Sequence, residues 1–179
     1  MFGRRKKQKA TKDALYRGMS RKNDPSKGSA KDMVASAEKV LGSKKEVARR
    51  LGVSERSVQR WAAGGKLRWG NASKLKDFVR NDPDMRRAQL SDLREARIRN
   101  QGSRVKVSGN MGVTSAGKKY RRSRAIETEL SPEAMGEIMD KWLAGNDDEA
   151  LAALHEALGN EYVSGFELDD VLENLEFLR

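Results

Sequence analysis

Between Ser43 and Trp61 the apolar and small positions Val47, Ala48, Leu51, Val53, Val58 and Trp61 fall at the spacing of two short helices crossing over a tight turn. Ala48 is small enough to let the second helix approach closely. Gly52 stands where a helix commonly ends in a left-handed backbone conformation. Ser43 with Glu46 predicts a capping box on the first helix, and Ser54 with Ser57 a cap on the second. Upstream, Ser29 followed by Asp32 opens a helix with Met33, Val34, Ala37, Val40 and Leu41 on one side, running to Gly42 and packing behind the pair. Downstream, Leu75, Phe78 and Val79 predict a helix from about Asn71 or Ser73 to Arg80. Asp82-Pro83 breaks it, and a strongly basic helix starts at Asp84 with Leu90, Leu93 and Ile98 on its apolar side.

Beyond this helix the periodicity fades. Gly102, Gly109, Gly112 and Gly117 interrupt the alternations Val105-Lys106-Val107 and Met111-Gly112-Val113, which read as a weak hairpin or an extended segment. Ser131-Pro132-Glu133 starts a helix carrying Ile138, Met139, Trp142 and Leu143, and another follows from about Asp147 with Leu151, Leu154 and Leu158, ended by Gly159-Asn160. Val163 to Leu178 alternates acids with apolar residues and fits strand, helix or both. Residues 1–28 contain ten Lys and Arg, two acids and little to bury. The expectation is a mostly α chain: a basic disordered arm (1–28), a small helix-turn-helix domain (29–80), a basic helix (81–100), a glycine-rich flexible segment (101–130) and an acidic, mainly helical C-terminal module (131–179).

Charge turns this architecture toward a partner. The chain carries a net +11, but residues 1–130 hold 35 Lys and Arg against 13 acids while residues 131–179 hold 2 against 13. A basic body of that size condenses onto a polyanion, releasing counterions as it neutralises phosphates. On the second helix of the pair, Glu55, Arg56, Ser57, Gln59 and Arg60 face outward, with Arg56 and Gln59 the candidate base readers in a DNA major groove and the capping Ser54 counted among the DNA-binding candidates. Lys44, Lys45, Arg49 and Arg50 on the first helix are candidates for phosphate contacts. The competing reading is an ordinary helical hairpin with solvated charges. The acidic tail either masks the basic surface or docks a partner, a second copy of the chain included.

Other chemistry is thin. Cysteine is absent and His155 stands alone, so no Cys or His metal site and no catalytic cluster is legible; no enzyme activity, cofactor or metal is expected. No stretch approaches the roughly 18 apolar residues of a membrane span, and the basic N-terminus lacks a signal peptide's apolar core. A soluble intracellular protein is expected.

The order of these features resembles the terminal proteins that cap the telomeres of linear actinomycete chromosomes and plasmids. Val47 to Trp61 is similar to that family's central DNA-binding element, a basic helix follows, Met111-Gly112-Val113-Thr114 sits in a glycine-rich segment, Leu130-Ser131-Pro132 opens a helix, and Leu175-Glu176-Phe177 is similar to the acidic finish. The resemblance implies protein-primed end patching in a bacterial, nucleoid-associated setting: a side-chain hydroxyl accepts the first deoxynucleotide from a DNA polymerase, with a telomere-associated protein as a further partner. The family's acceptor is a threonine shortly after a glycine. Here Gly117 is followed by Lys118-Lys119-Tyr120, which makes Tyr120 the first candidate, with Thr114 second and Ser115 and Ser123 behind. The expected DNA partner is duplex together with terminal single-strand or hairpin ends; the alternative is a transcriptional or plasmid/phage replication regulator that only binds an operator.

Overall fold

A computed structural model describes the backbone of residues 2–20, 24–115, 118–161 and 166–178, and the side chains of 11–20, 24–112, 118, 122–161 and 174–178. The described chain is mostly helical with one three-stranded sheet, and it divides into two units, residues 22–89 and residues 1–21 with 90–179.

Unit 22–89 begins with a 3-10 turn, Pro25–Lys27, followed by five helices: α2 (Ala30–Leu41), α3 (Lys44–Leu51), α4 (Glu55–Ala62), α5 (Trp69–Asn81) and α6 (Pro83–Gln89), numbered after an N-terminal helix α1 (Phe2–Ser20) of the other unit. The start of α2 is a reciprocal capping box: Ser29 Oγ accepts from the Asp32 amide at 3.2 Å and the Ser29 amide donates to the Asp32 carboxylate at 2.9 Å. At α3 only half of the expected box forms. Ser43 Oγ accepts from the Glu46 amide at 3.1 Å, but the Glu46 carboxylate turns to Arg49 and Arg50 and is lost to the cap. Gly42 and Gly52 close α2 and α3 at φ 85° and 63°, where a β-carbon would be strained. Met33, Val34, Ala37, Val47, Ala48, Leu51, Val58, Trp61, Leu75, Val79 and Met85 form one buried core.

The basic helix expected over 81–100 is broken at Leu90-Ser91. Asp82 accepts from the amides of Asp84 and Met85 at 3.0 and 3.3 Å, starting α6 with Pro83 at its first position. The fully buried Arg86 then donates to the Arg80 carbonyl at 2.7 Å and to Asn81 Oδ1 at 3.0 Å, and Gln89 donates to the Val79 carbonyl at 3.1 Å. These bonds satisfy carbonyls that the end of α5 leaves open. α6 is thereby tied to the first unit, while α7 (Asp92–Gln101), capped by Ser91, belongs to the second. Leu93, expected on the apolar side, is exposed, whereas Leu90 and Ile98 are buried.

The second unit contains α1, α7, β1 (Ser103–Ser115), β2 (Lys118–Leu130), α8 (Pro132–Leu143), α9 (Asp147–Glu161) and β3 (Phe166–Phe177). The sheet order is β2-β1-β3, antiparallel throughout, with a register irregularity at Gly109 in the β1–β3 pairing. Residues 103–115 and 118–130 are therefore paired strands, the hairpin alternative rather than the flexible segment. Val105, Val107 and Met111 alternate inward while Arg104 and Lys106 stay exposed, the period of a half-buried strand. The acidic tail is not a separate module either. Met135, Ile138, Met139, Trp142, Leu154 and Leu158 of α8 and α9 share one core with β1, β2, β3 and α1. α9 runs through Gly159 and Asn160 to Glu161.

The arm expected over 1–28 is replaced over 2–20 by α1, whose Ala14, Leu15, Tyr16 and Met19 are buried. Its basic composition conceals an apolar face at helical spacing. The Tyr16 and Trp142 rings lie 6.2 Å apart, and Arg94 of α7 donates to the carbonyls of Met19 and Gly18 at the end of α1. A β-carbon on Gly18 would stand 3.0 Å from the Leu175 carbonyl oxygen, so the helix lies close against β3. Leu15→Ala should therefore cost about 2–5 kcal/mol of folding stability, measurable by denaturant unfolding; a stability equal to wild type would return residues 2–20 to a free arm.

Candidate nucleic-acid interface

Burial of Val58 and Trp61 fixes the rotation of α4, and the opposite side is left to water: Glu55, Arg56, Gln59 and Arg60 are all exposed. Arg56 and Arg60 lie one helical turn apart, and among the described residues neither is in an ion pair. Gln59 donates to Glu55 Oε1 at 3.1 Å. Ser54 accepts from the Ser57 amide at 3.3 Å and lies 2.9 Å from the Ser57 hydroxyl, so both hydroxyls serve the start of the helix.

The cations expected to meet phosphate divide into two groups. Arg49 grips Glu46 through Nε at 2.8 Å and Nη2 at 2.5 Å. Arg50 reaches three carboxylates, Asp82 at 2.8 Å, Asp84 at 2.7 Å and Glu46 at 3.2 Å, and thus joins α3 to the α5–α6 junction. Lys44 pairs with Glu38 at 3.3 Å, while Lys45 is exposed and, among the described residues, in no ion pair. Arg50 is therefore a structural cation in the unbound protein. The signal for it was Asp82-Pro83-Asp84, read only as a helix break.

The three candidate acceptor positions fall within the last three described rungs of the β1–β2 pairing. In the β1–β2 register Val113 pairs with Tyr120, Thr114 with Lys119 and Ser115 with Lys118, and the next rungs set Gly112 and Met111 against Arg121 and Arg122. The side chains of Thr114, Ser115 and Tyr120, and residues 116–117, lie outside the described residues. Ser123, paired with Asn110 three rungs in from Tyr120, is exposed. Along the sequence β2 carries Lys118, Lys119, Arg121, Arg122 and Arg124 at one edge of the sheet, and β3 carries Glu167, Asp169, Asp170, Glu173 and Glu176 at the other.

Trp69, outside the expected site residues, is 89% exposed at the start of α5. Its position off the Leu75–Val79 stripe was the available signal. Among the described residues no three His, Asp or Glu side chains gather as a metal site would require, and no helix is long and apolar enough to cross a membrane. The chain matches no family model, no curated protein and no solved structure.

The Glu46 carboxyl is held down to about 2 from an ordinary 4.5, first by its hydrogen bonds from Arg49, which outweigh the opposing desolvation, with Arg50 lowering it further. A depressed folded-state value stabilises the fold above the unfolded value, and that stabilisation is lost as pH falls through the folded one. Melting temperature should therefore fall between pH 4.5 and about 2 in wild type, and less steeply in Glu46→Gln. Identical slopes would remove Glu46 from the acid response.

Proposed function

We propose that this protein binds duplex DNA through α4 and serves as a terminal protein, presenting a hydroxyl at the end of the β1–β2 hairpin as primer for terminal DNA synthesis. The observation that carries the DNA-binding part is the outer side of α4, where Arg56 and Arg60 stand in water with no ion-pair partner among the described residues while Val58 and Trp61 hold the helix from behind. As the second helix of a helix-turn-helix, α4 would enter the major groove. There Arg56 suits a bidentate contact to guanine, Arg60 adds a second cation, and Lys45 on α3 meets the backbone.

The priming part rests on the order of sequence features and on the gathering of Thr114, Ser115 and Tyr120 within the last rungs of the hairpin. In the proposed step the acceptor hydroxyl oxygen attacks the α-phosphorus of a deoxynucleoside triphosphate held by a DNA polymerase. A phosphodiester to the side chain forms, pyrophosphate leaves, and the hydroxyl proton passes to a base of the polymerase. The protein contributes position and counter-charge and the polymerase contributes the catalysis. The cations of β2 flank the acceptor positions in sequence and suit the template and incoming phosphates.

Two measurements separate the parts. Arg56→Ala should cost about 1–3 kcal/mol in binding its preferred duplex and relax base preference, whereas Lys45→Ala should weaken all sequences alike and reduce the salt slope by about one. Incubation with template, the polymerase of the native host and one labelled deoxynucleoside triphosphate should leave label covalently on the protein, lost in Tyr120→Phe or, if the acceptor is the second candidate, in Thr114→Ala. Absence of any attached nucleotide, with a footprint on paired half-sites about 34 Å apart, would instead identify an operator-binding regulator.

A further inference from the structure

The loop leaving α4 is fixed by short contacts. The Gly64 amide donates to the Trp61 carbonyl at 3.0 Å, the Gly65 amide to the Arg60 carbonyl at 2.8 Å, and Leu67 packs against the core. Leu67 turned inward leaves Arg68 and Trp69 in water. The indole of Trp69 is 89% exposed, and the neighbouring Gly70 has open space where a side chain would be. From residue 66 to residue 76 the chain holds Lys66, Arg68, Lys74 and Lys76 and no acid, all four cations are exposed, and none is in an ion pair among the described residues.

A lone exposed leucine such as Leu93 is ordinary surface, but an exposed indole in a stretch of chain whose only charges are exposed cations suits one occupant. Nucleobases offer a π-face, and the strand that carries them brings a phosphate for each base. We infer that Trp69 is a stacking platform for an unpaired base of a DNA strand whose phosphates are held by Lys66 and Arg68. The inference deepens the DNA-binding reading, and it rests on that reading for the duplex expected on α4, one loop earlier in the chain. It assigns this unit a contact with a single-stranded overhang or frayed end, a substrate that a binder of internal duplex does not require.

Trp61 and Trp142 are 1% and 0% exposed, so the emission that responds to solvent belongs to Trp69. Titration of the full chain with a short oligothymidylate at low salt should quench this emission and shield it from iodide, and Trp69→Phe should abolish the response. Trp69→Ala should weaken oligothymidylate binding roughly 5- to 150-fold while leaving affinity for blunt duplex within about twofold. Arg56→Ala should do the reverse. Oligothymidylate that binds wild type and Trp69→Ala equally, or leaves the emission unchanged, overturns the inference. So does a blue shift that grows with protein concentration in the absence of DNA, which would mean that a second copy covers the indole. Quenching by oligothymidylate in a protein that ignores duplex would keep the stacking platform and overturn the reading of α4 instead.

Discussion

The rotation of α4 about its own axis decides what this protein can touch, and the burial of Trp61 sets that rotation. Moving an indole of about 150–250 Å² out of water contributes on the order of 4–6 kcal/mol. Its Nε1 finds no hydrogen-bond partner among the described residues, which costs about 1–3 kcal/mol. Packing wins, and with Val58 beside it the apolar side of α4 has one way to face. Glu55, Arg56, Gln59 and Arg60 are then outward as a consequence, while Ser57 is half-buried at the cap. The cap from Ser54 and the left-handed Gly52 make the turn short enough for α3 and α4 to share that core.

The charges on this unit do two jobs, and their geometry separates them. Arg50, tied to three carboxylates, and Arg86, buried against the end of α5, act on the fold. Exposed ion pairs contribute little energy in water, so the value of the Arg50 network is that it fixes where α5 and α6 join. Arg56, Arg60, Lys45 and the loop cations have no such partner among the described residues. A polyanion displaces no ion-pair partner at these positions among the described residues, which is why they, and not the whole basic composition, define the candidate interface.

Local rules made the first unit readable. Capping serines, left-handed glycines and helical periodicity all act within a few residues, and they predicted α2 to α5 within about two residues at most ends. The other unit is held by pairings that span the chain: β3 joins β1 across the length of α8 and α9, and α1 is covered by residues far downstream. Nothing local announces such partners, so Leu15, Tyr16 and Met19 were lost in a basic average, and the glycines of β1 outweighed its alternating valines. The site shows the same division. The outward side of α4 was legible because it is the complement of a buried stripe, whereas the capture of Arg50 by Asp82 and Asp84 and the exposure of Trp69 required the fold. The hairpin register then brought Thr114, Ser115 and Tyr120 together, a proximity that spacing along the chain does not disclose.

The polar side of α4 is the surface proposed for a duplex. Adding a short duplex to nitrogen-labelled protein at low salt and following backbone amide shifts tests it directly. The largest shifts should fall within Glu55–Ala62 and the loop after it, diminishing as salt is raised. Saturable binding that leaves the amides of α4 unmoved, or no binding at all, would contradict it.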